Sequence, residues 1–297
     1  MMQHAATEPQ VSVIVASYNA RMTIGACLGS LMEQDTGRRY EVIVVDSSSD
    51  GTGDLVAREF PSVMLLRQPR RRFPGDARNI GVQAARAPVV AFTDADCVAD
   101  PGWVEAIARA HRSPMKAVGG SISNANPESW VGWAAYFCEY SQWLPRQHPQ
   151  MMTDMPTANL SYKRELFERH GGFIEGTYCS DTDFNWRIGR AGMRLLFEPS
   201  LKVAHHNIDR LGRFLHHEYF HGWSFGRVRV RVQRFSPARR LAYAALAPLI
   251  LGKLLLHRTV KNCANPVYLH QFLKAWPLFA LGVGCWTLGE AAGYLSH

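Results

Sequence analysis

The chain alternates short apolar runs with amphipathic stretches. Residues 11–17, 41–46, 63–66 and 88–93 are near-continuous apolar runs rich in β-branched side chains. That is the pattern of strands covered on both faces. Between them the apolar period lengthens to that of a helix. Ile24, Cys27, Leu28 and Leu31 share one face of a helix predicted over 21–34. Further helices are predicted from Thr52 to about residue 59, around Ala77, Arg78, Asn79 and Gly81, and over 101–111. Strand and helix alternating four times predict a mostly parallel sheet with right-handed crossovers and helices on its faces.

Beyond residue 111 the pattern is less regular. Residues 117–122 read as a strand. Residues 123–150 read as an irregular segment dense in aromatics, with Trp130, Trp133 and Phe137 at helical spacing, which favours packing over ligand stacking. The stretch 157–162 leads into a helix closed by Gly171-Gly172, a helix-stop signal. Asp181 opens a helix to about residue 191, and 193–197 and 201–205 read as two short strands. Residues 209–235 interleave aromatics and histidines with arginines. Residues 241–256 and 275–295 are almost wholly apolar apart from Lys253 and Glu290. The expected organisation is an α/β domain over 1–207, a basic amphipathic interfacial segment over 208–240, and a hydrophobic helical region over 241–297.

The fourth apolar run ends in Asp94-Ala95-Asp96. Two carboxylates one residue apart at a strand's carboxyl end lie where open α/β sheets bind ligands. They repel one another unless a cation lies beside them, and a divalent ion with hard oxygen ligands suits them. No Gly-x-Gly-x-x-Gly follows the first strand and no Gly-Lys-Ser/Thr loop occurs. Phosphate must therefore be held by metal and side chains rather than by a glycine-rich cradle.

Charge changes the picture at the far end of the chain. The formal net charge is +8, and residues 210–240 carry eight arginines against one acid, Glu218. Nucleic acid and anionic lipid both attract such a stretch, but it runs directly into apolar segments, which favours a membrane's cytoplasmic leaflet and no nucleic acid. The second apolar segment is long enough to span a bilayer and the first is short. A crossing hairpin and a monotopic pair are both compatible with the pattern. The six cysteines show no Cys-x-x-Cys pair and read as reduced thiols. The polar start, residues 1–10, has no apolar core and reads as no cleavable signal.

Seven motifs in order carry a family resemblance: Val-Ser-Val-Ile-Val-Ala-Ser-Tyr-Asn at 11–19, Val-Val-Asp-Ser-Ser-Ser-Asp-Gly-Thr at 44–52, Ala-Arg-Asn-Ile-Gly at 77–81, Phe-Thr-Asp-Ala-Asp at 92–96, Ala-Asn-Leu-Ser at 158–161, Gly-Gly-Phe at 171–173 and Asp-Thr-Asp-Phe at 181–184. From residue 11 to about 206 the chain resembles a family 2 glycosyltransferase of the membrane-associated bacterial type. The resemblance implies the GT-A (Rossmann-like) fold and an inverting, metal-assisted transfer of a sugar from a nucleotide sugar, UDP by default. It implies Mg²⁺ or Mn²⁺ as the divalent cation, held by Asp96 and Asp94, with His205 as a further ligand or a merely buried histidine. Ser17, Tyr18, Asn19, Asp46, Arg78, Asn79 and Asp94 are then on the donor side. Asp181 matches the catalytic base, with Asn159, Ser180, Asp183 and Trp186 on the acceptor side. Ser180 stands where the family usually has Glu, and Asp46 and Asp50 are one residue closer than usual, which leaves open which of them meets the base. The expected partners are a nucleotide-sugar donor, a glycan or lipid-linked acceptor and membrane lipid, at the inner (cytoplasmic) membrane with the catalytic domain on the cytoplasmic side. A homo-oligomer is left open. The rival readings are a sugar nucleotidyltransferase of related fold and a non-enzymatic basic membrane-binding module.

Overall fold

A computed structural model describes residues 8–145 and 148–296. Most of the polar start therefore lies outside the described residues. The elements run β1 (Val11–Ser17), α1 (Ile24–Met32), β2 (Tyr40–Asp46), α2 (Thr52–Glu59), β3 (Met64–Arg67), α3 (Pro74–Ala84), β4 (Val89–Asp94), β5 (Cys97–Ala99), α4 (Trp103–Ala110), β6 (Ala117–Asn124), α5 (Trp130–Tyr140), β7 (Gln150–Met152), β8 (Leu160–Lys163), α6 (Glu165–His170), α7 (Ser180–Arg190), β9 (Leu195–His205), α8 (Leu211–Gln233), α9 (Pro237–Ala245), α10 (Ala247–Cys263) and α11 (Leu269–Leu295).

The chain forms two compact units, residues 1–123 with 143–205, and residues 124–142 with 206–297. The first holds a nine-stranded sheet among the described residues, ordered β3-β2-β1-β4-β8-β6-β9-β5, with β7 on β9. The parallel register is confined to its first half, where β1 pairs with β2 and β4, and β2 with β3. From β4 onward β4 pairs with β8, β8 with β6, and β9 with β5 and β7, all antiparallel. The sheet is thus mixed, because after α4 the chain returns through strands without a crossover helix between each pair. Predicted strands 193–197 and 201–205 are one long strand, β9, in which Pro199 does not break the run.

Strands β1 and β4 are buried along almost their whole length, and burial eases only at Ala16 and Asp94, near their carboxyl ends. Behind the sheet a nest of rings joins the strands to the later helices. Phe92 of β4 meets Phe173 edge-on at 5.4 Å, and Phe167 of α6 stacks on Phe184 of α7 at 4.7 Å. Each such pair contributes about 0.5–1.5 kcal/mol beyond its buried area. The nest fixes the start of α7 relative to the end of β4.

The second unit is helical. The segment 123–150, expected to be irregular, contains a full helix, α5, capped by the Ser129 hydroxyl accepting from Gly132 N–H. Its Trp133, Tyr136 and Phe137 are buried, and Phe137 meets Phe272 of α11 at 5.0 Å. The irregular reading missed that an all-round apolar helix shows little periodicity. Helices α8 and α11 approach so closely that a Cβ on Gly222 or Gly289 would run into the backbone of the other helix. Glu290, the acid inside the apolar run, is buried against Arg229 of α8 at 3.2 Å. Residues 266–295 form one helical stretch long and apolar enough to cross a membrane, with just under half of it buried inside the structure; α9 and α10 pass the same test together but bend by 60°. Leu241, Leu249, Leu256 and Leu288 are all more than 60% exposed. All six cysteines are unbridged, as expected.

Candidate active site

The carboxyl ends of β1, β2 and β4 lie side by side, with Ser17 opposite Asp46 and Ala16 opposite Asp94. The loops leaving β1 and β2 are laced together. Asn19, at a φ of 50° that asparagine tolerates, accepts from Ser49 N–H at 3.0 Å, and its own N–H donates to Ser48 Oγ at 2.7 Å. Ser48 in turn donates to Asp46 Oδ1 at 2.6 Å. Asp50 accepts from the Thr52 hydroxyl and from Arg21 N–H. Burial alone would raise its carboxyl, but these hydrogen bonds outweigh it and hold the group below its usual range. Asp50 is thereby committed to the loop, whereas Asp46 sits buried at the strand end. Tyr18 stands exposed, with the Arg71 guanidinium 4.6 Å over its ring. Arg71 also donates to Tyr178 Oη at 3.0 Å.

After Ala95 and Asp96 the chain continues as β5, which runs antiparallel to β9 with Cys97 opposite His205. This register brings His205 Nε2 to 3.3 Å from Asp96 Oδ1. Ligand atoms of Asp96, Cys97 and His205 all lie within 4.8 Å of one another. Burial first, and then the charges of Asp96 and Asp94, push the Cys97 thiol well up, so the carboxylate and the imidazole are the better ligands of the three. The carboxylate oxygen suits a hard divalent ion such as Mg²⁺ or Mn²⁺, with the imidazole as an additional nitrogen donor. Asp94 is turned toward a different partner, the buried Arg78 of α3, at 2.6 Å. Among the described residues Arg78 Nε, Ser17 Oγ and Thr93 Oγ1 are buried without a hydrogen-bond partner. Two of these atoms belong to residues near strand ends, Ser17 and Thr93, and the third to α3; buried polar groups are rarely left so.

The second cluster lies at the start of α7. Asp181 accepts from both Thr157 N–H, at 3.1 Å, and the Thr157 hydroxyl, at 3.0 Å, in the 3₁₀ turn Thr157–Asn159. Thr182 N–H donates to its other oxygen at 2.9 Å. Ser180 is fully buried, and a Cβ on Gly75 of α3 would fall 2.7 Å from its Cβ. Gly75 thus leaves the room that the Ser180 side chain occupies. Beside them stands Asp154, which the motifs did not mark. Burial, and then the charge of Asp181, push its carboxyl up to about 7.

Three other expected residues do structural work. Asn159 donates to the carbonyls of Ser121 and Leu201 and accepts from Trp103 Nε1, so its amide is fully engaged within the sheet. Asn79 brackets Phe173, donating to its carbonyl at 3.0 Å and accepting from its N–H at 2.8 Å. Asp183 pairs with Arg187 at 2.9 Å, and Arg187 donates onward to the carbonyls of His170 and Gly172. Trp186 sits half-buried one turn further along α7. The sequence offered a faint signal for Thr157, which immediately precedes the Ala-Asn-Leu-Ser motif, and for Arg71, inside a triple-arginine run. It offered none for Asp154.

The model of the family described as Glycosyl transferase family 2 matches residues 12–171. Along nearly its whole length, 98% of the chain against 97% of the relative, the protein is 26% identical to the glycosyltransferase AglE of Haloferax volcanii. It is 28% identical over 207 residues to the pre-mycofactocin glycosyltransferase of Mycobacterium tuberculosis, a match covering 65% of this chain and 43% of that protein. Among solved structures the fold resembles the mannosyltransferase PcManGT of Pyrobaculum calidifontis in complex with GDP-Man and Mn²⁺, with a TM-score of 0.59 and 22% identity over 93% of this chain and 86% of that one. It also resembles GalNAc-T7 with UDP, GalNAc and Mn²⁺, with a TM-score of 0.53 and 16% identity over 77% and 52%.

Proposed function

Because the chain belongs to glycosyl transferase family 2, and is therefore a glycosyltransferase, we propose that it moves a sugar from a UDP-sugar to a lipid-linked or membrane-proximal glycan, with inversion at the anomeric carbon. The observation that carries this reading is the separation of two carboxylate groups, Asp96 with His205 at the strand ends and Asp181 at the start of α7.

On the donor side, Asp46 and the Tyr18–Arg71 platform receive the nucleoside, with the ring and guanidinium stacking on the base. Ser17, Thr93 and Arg78 Nε offer their unpartnered polar atoms to the ribose and diphosphate. Asp94 keeps Arg78 extended and its charge partly balanced. Asp96 and His205 would hold a divalent cation, Mg²⁺ or Mn²⁺, and both solved neighbours were determined with Mn²⁺. When bound, the cation neutralises the departing nucleoside diphosphate.

On the acceptor side, Asp181 takes the proton of the attacking hydroxyl as that oxygen bonds the anomeric carbon and the carbon–phosphate oxygen bond breaks. The Thr157 and Thr182 donors fix its carboxylate in one orientation before the acceptor arrives. Asn159, Asn79 and Asp183, with every contact directed into the scaffold, support this constellation rather than touching sugar. The exposed leucines of α9, α10 and α11, together with the arginines of α8, favour contact with the cytoplasmic face of the inner membrane, where a lipid-linked acceptor is presented.

A thermal-shift screen of nucleotide sugars with and without Mn²⁺ or Mg²⁺ tests the reading, since a ligand that binds the folded state stabilises it. The expected result is a UDP-sugar shift that grows with the ion, loses that growth in Asp96→Ala, and survives in Asp181→Ala while turnover falls about a thousand-fold. An Asp181→Ala protein at wild-type turnover would show that the base lies elsewhere. A nucleotide-sugar shift indifferent to both ions would remove the metal.

A further inference from the structure

The helical unit carries a pattern that the sugar chemistry does not use. Residues 211–297 hold eleven arginines and lysines and only two acids, Glu218 and Glu290. Both acids are buried, at 1% and 2% exposure, so every exposed charged side chain along 211–296 is basic. Glu290 is further engaged by Arg229 and the Tyr294 hydroxyl inside the α8–α11 seam. Along α10 the exposed side chains Leu249, Lys253, Leu256 and Val260 recur at helical spacing on one face, and α9 exposes Arg239 and Leu241. An apolar stripe among cations, with no acid beside it, fits an anionic bilayer surface. Nucleic acid would match the cations but has no use for the leucines.

Packing decides how that bilayer is held. Helices α8 and α11 run side by side in the same direction: a Cβ on Gly282 would strike the Phe214 ring, one on Gly222 the backbone of Trp286, and one on Gly226 the backbone of Glu290. Gly282 is midway along α11, so Phe214 and its exposed neighbours Arg213 and His216 stand level with the middle of that helix. A bilayer spanned by α11 would take Arg213 and His216 to its apolar centre, which is among the costliest places for such groups. Helix α10 fails for its own reasons. Its 17 residues reach about 25 Å against a hydrocarbon core of about 30 Å, and the exposed Lys253 lies near its middle. Adding α9 does not lengthen it into a span, because the two helices bend by 60°. We propose that residues 211–296 hold the enzyme on one anionic leaflet without crossing it. The α9–α10 elbow lies in the headgroup layer, its leucines toward the acyl chains and its arginines and lysine toward lipid phosphates. The inference rests on the membrane-facing reading of this unit and adds the manner of attachment.

The test uses the full chain in two measurements. In the first, purified protein is floated at physiological salt with vesicles of phosphatidylglycerol and phosphatidylcholine, or of phosphatidylcholine alone. Capture is expected on the anionic vesicles and to be at least about fivefold weaker on the neutral ones, and Leu249→Glu and Lys253→Glu, both at exposed positions of α10, should each lower anionic capture at least about fivefold, as the change of one group at a charged surface implies. In the second, Ala264→Cys and Ser296→Cys, which lie before and after α11, are made one at a time in a chain carrying Cys263→Ser and Cys285→Ser; the four remaining cysteines are buried, and that parent chain is the blank. A membrane-impermeant maleimide should label both positions in inside-out inner-membrane vesicles and neither in right-side-out ones. Labelling of either position from the opposite side would overturn the single-leaflet attachment and leave membrane contact standing. Equal capture by neutral vesicles, or undiminished capture of both α10 variants, would overturn the anionic surface. No capture by either vesicle would overturn the membrane reading itself, and a dimer in solution would then assign the leucine face to a second copy of the chain. The nucleotide-sugar thermal shift is read independently of all three.

Discussion

The two acidic clusters of the sheet unit are built from the same residue type and surrounded in opposite ways. At the strand ends, Asp94 faces a buried guanidinium and Asp96 an imidazole. At the start of α7, Asp181 and Asp154 face hydroxyls, amides and each other. A carboxylate facing a guanidinium or an imidazole is placed to share a cation. A carboxylate among neutral donors, with another acid nearby, is ready to hold a proton. On the proposed reading, the contrast teaches that the division of labour between leaving-group and acceptor chemistry is written in the partners rather than in the aspartates.

The strongest way to break the contrast is to uncouple the two clusters. Phe184 stacks on Phe167 in the ring nest that ties α7 to β4. Phe184→Ala should cost about 3–5 kcal/mol of stability, as large-to-small changes in a core do. Chemical denaturation would register it, and nucleotide binding should survive better than turnover in the folded fraction. A smaller effect is expected from Arg78→Met, which leaves Asp94 facing an apolar chain. A loss of about 1–3 kcal/mol follows from a partly buried carboxylate left without its partner, while the neutral titration of Asp154 should stay where it is. If that titration moves, the clusters are not electrically separate. The smallest effect sharpens the comparison from the other side. Asp154 has its folded pKa raised above the unfolded value, so its contribution to stability is fully present below about pH 4 and is lost as pH rises toward about 7. Asp154→Asn does not titrate, so its melting temperature relative to wild type should climb over that window, by at most about 1.4 kcal/mol per pH unit. A flat difference between pH 4 and 7 would mean that Asp154 is ionised throughout.

The strand-end cluster was legible in the sequence because its parts are local. An apolar run ending in Asp94-Ala95-Asp96 announces both the strand and the site, and β1, β2 and β4 follow directly from period and β-branching. His205 could be suggested only through the family resemblance, since its meeting with Asp96 depends on the β5–β9 register, a long-range pairing. The start of α7 was legible only as far as Asp181. Asp154 reaches the site through two hydrogen bonds to α7, which no pattern around residue 154 encodes. Asn159 and Asn79 illustrate the reverse error. Both belong to motifs beside the site, and both turn their amides into the scaffold, a distinction of side-chain direction that spacing cannot carry. Helix α5 was missed for a different reason, since a helix buried on nearly every side has no polar face to give it a period.

The seam between α8 and α11 has a consequence for how the helical unit is made. Gly222 on α8 leaves the ribosome well before Gly289 on α11, which closes over it. During synthesis α8 therefore waits with a bare backbone groove and a row of arginines, among them Arg229, whose carboxylate partner Glu290 does not yet exist. Until α11 arrives, that groove is open to any other small-faced helix, and the order of emergence becomes a hazard that only prompt closure removes.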